Sequence, residues 1–158
     1  MLVKPGRMWW RIKIVVGSVL IALLIEKYTL GSWAVMWQPS VWPGQLLTIV
    51  GGACAIWHYR LLRHAAGCID DPQLLVTGGG LYSRIRHPMY LGDCIMYLGL
   101  FMLAPGLPGL VLLCVGWFAL GRQSDAEDSA MKNAFPSAYE AWVRVSGKLL
   151  PKLKVSSP

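Results

Sequence analysis

A chain of 158 residues fits one domain. It is 55% hydrophobic and only 15% charged, with a positive mean hydropathy, which excludes a disordered chain or an ordinary soluble domain and points to a membrane protein. The net charge of +7 suits the anionic face of a membrane better than nucleic acid, and no nucleic-acid partner is expected.

The apolar stretches predict an all-α integral membrane protein, with about four transmembrane helices plus cytoplasmic amphipathic C-terminal helices in a single domain, 1–158. The first helix is expected over about 8–28, its charged ends snorkelling to the interfaces. No small-residue cleavage site follows its apolar run, so it does not read as a signal peptide. The second is expected over about 42–62, the third over 88–104 and the fourth over 107–120. The last two are short against the roughly 20 residues that a bilayer core takes. "APGLPG" (104–109) joins them as a turn of helix breakers, which makes a helical hairpin.

Lysines and arginines divide unevenly among the loops. Lys4, Arg7, Arg11 and Lys13 precede or open the first helix. Arg60, Arg63, Arg84 and Arg86 fall around the connection between the second and third. Arg122, Lys132, Arg144, Lys148, Lys152 and Lys154 follow the fourth, which leaves Lys27 alone on the other side. Positive-inside bias then places both termini and the long connection in the cytoplasm. In the tail, Met131, Phe135, Ala138, Tyr139 and Trp142 recur at spacings of three and four, an amphipathic stripe interrupted where Phe135 precedes Pro136. Such a stripe can lie on the membrane or cap a cavity between helices.

Cys54, Cys68, Cys94 and Cys114 form no CxxC pair, so they read as reduced, buried thiols with no metal site and no disulfide framework. His58, His64 and His87 raise haem ligation, but His64 lies beyond the expected end of the second helix and facing pairs are not evident.

The residues "LYSRIRHPMYLG" (81–92) put charge at the mouth of the third helix. His87 before proline is expected outside the helical region, and Pro88 suits the first helical position. The N–H groups of 89–91, with Arg84 and Arg86, would favour an anionic or zwitterionic ligand. Equally, the arginines can be topology anchors and His87 a helix cap. "DAED" (125–128) lies on the same side, able to meet a cationic or hydroxyl-rich ligand or to pair with nearby arginines. Asp93, inside an apolar helix, shares a face with Met89, Tyr90 and Tyr97, and an intramembrane acid faces a bundle interior or a polar cavity.

"LVTGGGLYSRIRHPMYLG" followed by "AEDSAMKNAFPSAYEAWVRVSGKLLP" resembles the membrane-embedded isoprenylcysteine carboxyl methyltransferases, including bacterial relatives of unassigned substrate. Phospholipid N-methyltransferases are similar in layout, and methylation of a phospholipid-type amine is the alternative reading within enzymes. The resemblance covers roughly 74–151, with cofactor motifs at 74–92 and 122–151. It implies S-adenosylmethionine as cofactor and a lipophilic methyl acceptor, in a protein of the bacterial inner membrane. It also implies that Leu75, Val76, Thr77 and Tyr82 line the cofactor, that His87, Pro88, Met89 and Tyr90 wall it, and that Glu127 contacts it. Arg122 resembles the family's substrate-facing basic residue. Asp93, His87 or Tyr90 would take a proton from a thiol or amine acceptor, whereas a carboxylate acceptor needs no base. Three positions depart from the pattern: Asp128 stands for a second Glu, Pro136 for a Gly, and a third glycine precedes Tyr82. A non-enzymatic membrane binding module on the same scaffold is the alternative from another class.

Overall fold

The computed structural model describes residues 7–29, 41–65 (side chains to residue 62) and 80–152. Leu75, Val76 and Thr77, with Trp33, Trp37 and Cys68, lie outside the described residues. Five α-helices account for nearly all of what is described: α1 (Arg7–Thr29), α2 (Val41–Ala65), α3 (Pro88–Leu103), α4 (Leu107–Ala134) and α5 (Pro136–Val145), with a 3-10 turn at Gly80–Ser83 between α2 and α3.

The proline-directed boundaries stand where the sequence puts them. His87 (φ −123°, ψ 60°) and Phe135 (φ −138°, ψ 64°) are both non-helical, and a proline opens the helix that follows each. Two boundaries differ from expectation. α2 runs on to Ala65 and takes in His64. α4 does not stop near Leu120 but continues unbroken to Ala134. Residues 121–134 lose hydrophobicity, yet they contain no proline and are rich in helix formers, so the helix leaves the apolar zone without ending.

α3 is the centre of the bundle. Its buried residues are Pro88, Tyr90, Gly92, Asp93, Tyr97, Gly99, Leu100 and Leu103, whereas α1 buries only Val16 and Leu20. Contacts give the directions. Lys13 and Lys27 of α1 reach Asp93 and Leu103 of α3 in the same order, so those helices run parallel. α2 and α4 run antiparallel to α3. The starts of α1 and α3, the end of α2 and the polar half of α4 therefore share one end of the bundle.

α2 and α3 meet backbone to backbone. Gly44, Thr48, Gly51 and Ala55 on α2 face Leu103, Gly99, Met96 and Gly92 on α3, both rows at alternating spacings of four and three. A Cβ at Gly51 would stand 2.4 Å from the Met96 N, and one at Gly92 would stand 2.6 Å from the Ala55 N. In lipid, where tails are as apolar as side chains, such close approach is what holds helices together.

α1 and α4 are long and apolar enough to cross a membrane, and only 11% and 39% of their most apolar stretches are buried within the protein. Val15, Ile25, Leu107, Val111 and Phe118 are among the large apolar side chains they leave exposed. Core helices of a soluble protein hide such residues, so these faces suit hydrocarbon. Cys114 lies on one of them and is exposed, with Cys54 and Cys94 half-buried, which corrects the expectation of buried thiols. α3, at 16 residues and about 1.5 Å each, is about 24 Å long.

Substituting Gly92→Leu should force α2 from α3 and cost at least about 1–3 kcal/mol, read as a lowered Tm in detergent. Gly121→Ala, where an added Cβ meets nothing within 4 Å, should leave Tm unchanged or slightly raised.

Candidate functional site

The site forms where the turn before α3 meets the polar half of α4. Gly80 sits at φ +65° with the His58 ring against it, a backbone conformation that favours glycine. His58 fixes that turn with both ring nitrogens: Nδ1 donates to the Cys54 carbonyl at 2.8 Å, and Nε2 accepts from the Leu81 N–H at 3.1 Å. The nearly inaccessible His58 is thus a structural pin, and the haem reading loses its ligand. Among the described residues no group of side chains is arranged to hold a metal.

The chain then runs from Arg84 to His87 beside 147–148. The Arg86 N–H donates to the Gly147 carbonyl at 2.8 Å, the His87 N–H to the Lys148 carbonyl at 3.0 Å, and the Gly147 N–H to the Arg84 carbonyl at 2.9 Å. α5 covers the turn from the other side. Tyr139 and Trp142 are buried against Tyr82, and the Trp142 indole donates to the Tyr82 carbonyl at 3.0 Å. The amphipathic stripe therefore packs over this turn with its last two residues.

At this mouth, two bases and two acids interlock. Arg86 donates through Nε and Nη2 to the two oxygens of Asp128, at 3.4 and 3.3 Å, and through Nη1 to the Ser146 carbonyl at 3.1 Å. His87 brings Nε2 to 2.8 Å from Asp128 Oδ1 and Nδ1 to 3.6 Å from Glu127 Oε2. Glu127 Oε1 accepts from the Tyr90 hydroxyl and from Gln123 Nε2, while the His87 and Tyr90 rings stack with centroids 5.6 Å apart. Burial disfavours a charged imidazole, but the hydrogen bonds and charges of Asp128 and Glu127 outweigh it and hold the His87 pKa above the ordinary value. His87 thus sits between two carboxylates that favour its charged form, and its side chain caps no helix.

The two acids are used differently. Asp128, 17% exposed, is consumed by Arg86 and His87, whereas the Glu127 side chain remains 33% exposed. Of the two, Glu127 keeps the more accessible carboxylate.

Of the residues expected at the site, Tyr82, His87, Pro88, Met89, Tyr90 and Glu127 gather within the turn, the start of α3 and the facing part of α4. Tyr82 is buried, its hydroxyl donating to the His58 carbonyl at 3.2 Å. Arg122 is not brought into the cluster: it is exposed on another side of α4, its guanidinium 5.9 Å from the Trp9 ring centroid. Asp93 lies one turn deeper than Tyr90 and pairs with Lys13 at 2.6 Å.

Asp128 pairs with an arginine, as one reading of "DAED" has it, but Gln123 and Lys13 go unrecognised in the sequence. A signal exists for both. Gln123 stands four residues before Glu127, on the same helix face. Lys13 is a cation among apolar residues, and Asp93 is an acid within an apolar segment, a combination that favours pairing.

Because the folded pKa of His87 is raised, its charge stabilises the fold fully below about pH 6.5, the ordinary value for histidine. That contribution fades as pH rises through the folded value. The Tm difference between the parent and His87→Gln should accordingly be largest at mildly acidic pH and shrink as pH increases. Thermal melts in detergent across that range check it.

The model of the phospholipid methyltransferase family matches residues 39–138, more than half of the chain and all of the clustered site residues. No curated protein matches the chain, and no solved structure does. Members of the matched family take their methyl group from S-adenosylmethionine. The chain belongs to the phospholipid methyltransferase family and is an S-adenosylmethionine-dependent methyltransferase.

Proposed function

We propose that this enzyme methylates a lipophilic acceptor at the cytoplasmic interface of a bacterial inner membrane. Four helices, α1 to α4, would cross it, with both termini in the cytoplasm. The separation of 14 lysines and arginines from Lys27 supports that orientation.

The single observation that carries the site is the contrast between adjacent acids. S-adenosylmethionine presents an ammonium, a carboxylate, ribose hydroxyls and a sulfonium. Glu127, partly exposed and held by Tyr90 and Gln123, fits the ammonium or the hydroxyls. Arg86 and His87 supply positive charge nearby for the carboxylate. Leu75, Val76 and Thr77 would complete the wall with Tyr82, Pro88 and Met89. When bound, the cofactor supplies a methyl group already activated on sulfur. The protein then needs alignment and exclusion of water more than an acid–base pair. Tyr90 and Gln123 orient Glu127, Asp128 locks Arg86 and His87, and α5 with residues 146–148 shields the mouth from water.

A phospholipid amine is the first acceptor to test, supported by the family match. A prenylcysteine-type carboxylate is the second. One observation favours it: Asp93 is paired with Lys13, His87 is engaged by Glu127 and Asp128, and Tyr90 already donates to Glu127. None of these three stands ready as a base, and a carboxylate needs none, whereas an amine would shed its proton to water on the way in. In either case Arg122, at the lipid-facing side of α4, would meet the acceptor.

Glu127→Gln should bind S-adenosylhomocysteine at least about tenfold more weakly, the scale of a lost charged hydrogen bond, with little change in the Tm of the unliganded protein. Calorimetric titration checks it, and parent-like affinity would remove Glu127 from the cofactor site. Incubation with methyl-labelled S-adenosylmethionine and vesicles containing phosphatidylethanolamine, or a prenylcysteine in detergent, should label one acceptor. Label in neither would sink both readings.

A further inference from the structure

Lys13 and Asp93 form an ion pair inside the apolar part of the bundle, at 2.6 Å, with side chains only 12% and 11% exposed. Charges this deep are costly and are retained where they have a task. Their position indicates the task. The Lys13 ammonium lies 4.9 Å from the centroid of the Tyr90 ring, the ring that also stacks on His87 and whose hydroxyl holds Glu127. Tyr97 locks the α1 backbone here, its hydroxyl donating to the Lys13 carbonyl at 2.6 Å. An unbroken polar chain therefore runs from Asp93 through Lys13 and Tyr90 to Glu127. α1 lies outside residues 39–138, the part that matches the family, yet it delivers a cation to the wall of the site.

We infer that Lys13 and Asp93 are a positioning pair: Asp93 holds the Lys13 ammonium against the Tyr90 ring, and Tyr90 in turn holds Glu127 and His87 in the geometry that receives the cofactor. The inference rests on Glu127 contacting S-adenosylmethionine for one of its two readouts and stands without it for the other.

A merely structural pair can be replaced by apolar residues of similar size at little cost in stability. The test is therefore the double variant Lys13→Met with Asp93→Leu, with Asp93→Asn as a milder second variant. Two quantities are measured: affinity for S-adenosylhomocysteine by calorimetry, and the titration midpoint of His87 by nuclear magnetic resonance of the unliganded protein. The double variant should keep a parent-like Tm, whereas Asp93→Asn, which leaves Lys13 unpaired, should lower it; both should bind at least about threefold more weakly, as expected for coupled neighbours, and show the His87 midpoint moved toward that of an ordinary histidine. Parent affinity together with a parent midpoint, in whichever variant folds, overturns the inference. If the parent itself fails to bind S-adenosylhomocysteine, the cofactor reading of Glu127 falls, and a moved His87 midpoint still upholds the positioning role.

Discussion

Polar groups placed in the middle of an apolar bundle must find partners, and in this protein that constraint sets the arrangement of the helices. α3 carries Tyr90, Asp93 and Tyr97 at spacings of three and four, all buried. Tyr90 is satisfied by Glu127 of α4, while Asp93 and Tyr97 are satisfied by the side chain and carbonyl of Lys13 of α1. A one-residue slide of either neighbour would strand a buried charge or hydroxyl. On its opposite side α3 has no such groups and meets α2 through glycines. One face of the helix thus gives register through polar pairing, and the other gives adhesion through closeness.

The mouth of the site follows from that register. With Tyr90 fixed on Glu127, His87 falls between Glu127 and Asp128. Asp128 is one methylene shorter than the Glu of the resembled pattern. It serves as an anchor for Arg86 and His87, and Glu127 keeps the more accessible carboxylate. Arg86 extends the same network to the Ser146 carbonyl, so the segment after α5 is tied to the acids of α4 through one guanidinium.

The C-terminal part closes what the helices leave open. α5 is short, and its apolar stripe would not stabilise it alone in water. It gains stability by burying Tyr139 and Trp142 against Tyr82, and residues 147–148 then pair with the strand-like stretch before α3. The mouth is in this way covered by protein at its polar end, while α1 and α4 leave large apolar side chains exposed along their length.

Much of this was legible in the residues. Apolar length predicted the helices, prolines marked the starts of α3 and α5, and two motifs in the right order pointed to the methyl donor. The end of α4 was misjudged because falling hydrophobicity marks the edge of a membrane, not the end of a helix. The spacing of seven between Gly92 and Gly99 was visible, but only the fold showed that it faces Gly44 and Gly51 of the same chain. Local sequence determined the helical elements and where most of them start, because those depend on backbone preferences and on periodicity along one segment. Tertiary structure alone decided that Lys13 answers Asp93, that Asp128 is an anchor while Glu127 stays reachable, and that Arg122 stands apart. Such pairings depend on which faces of distant segments meet, and the number of acceptable partners for any one charge is too large for spacing to choose among them.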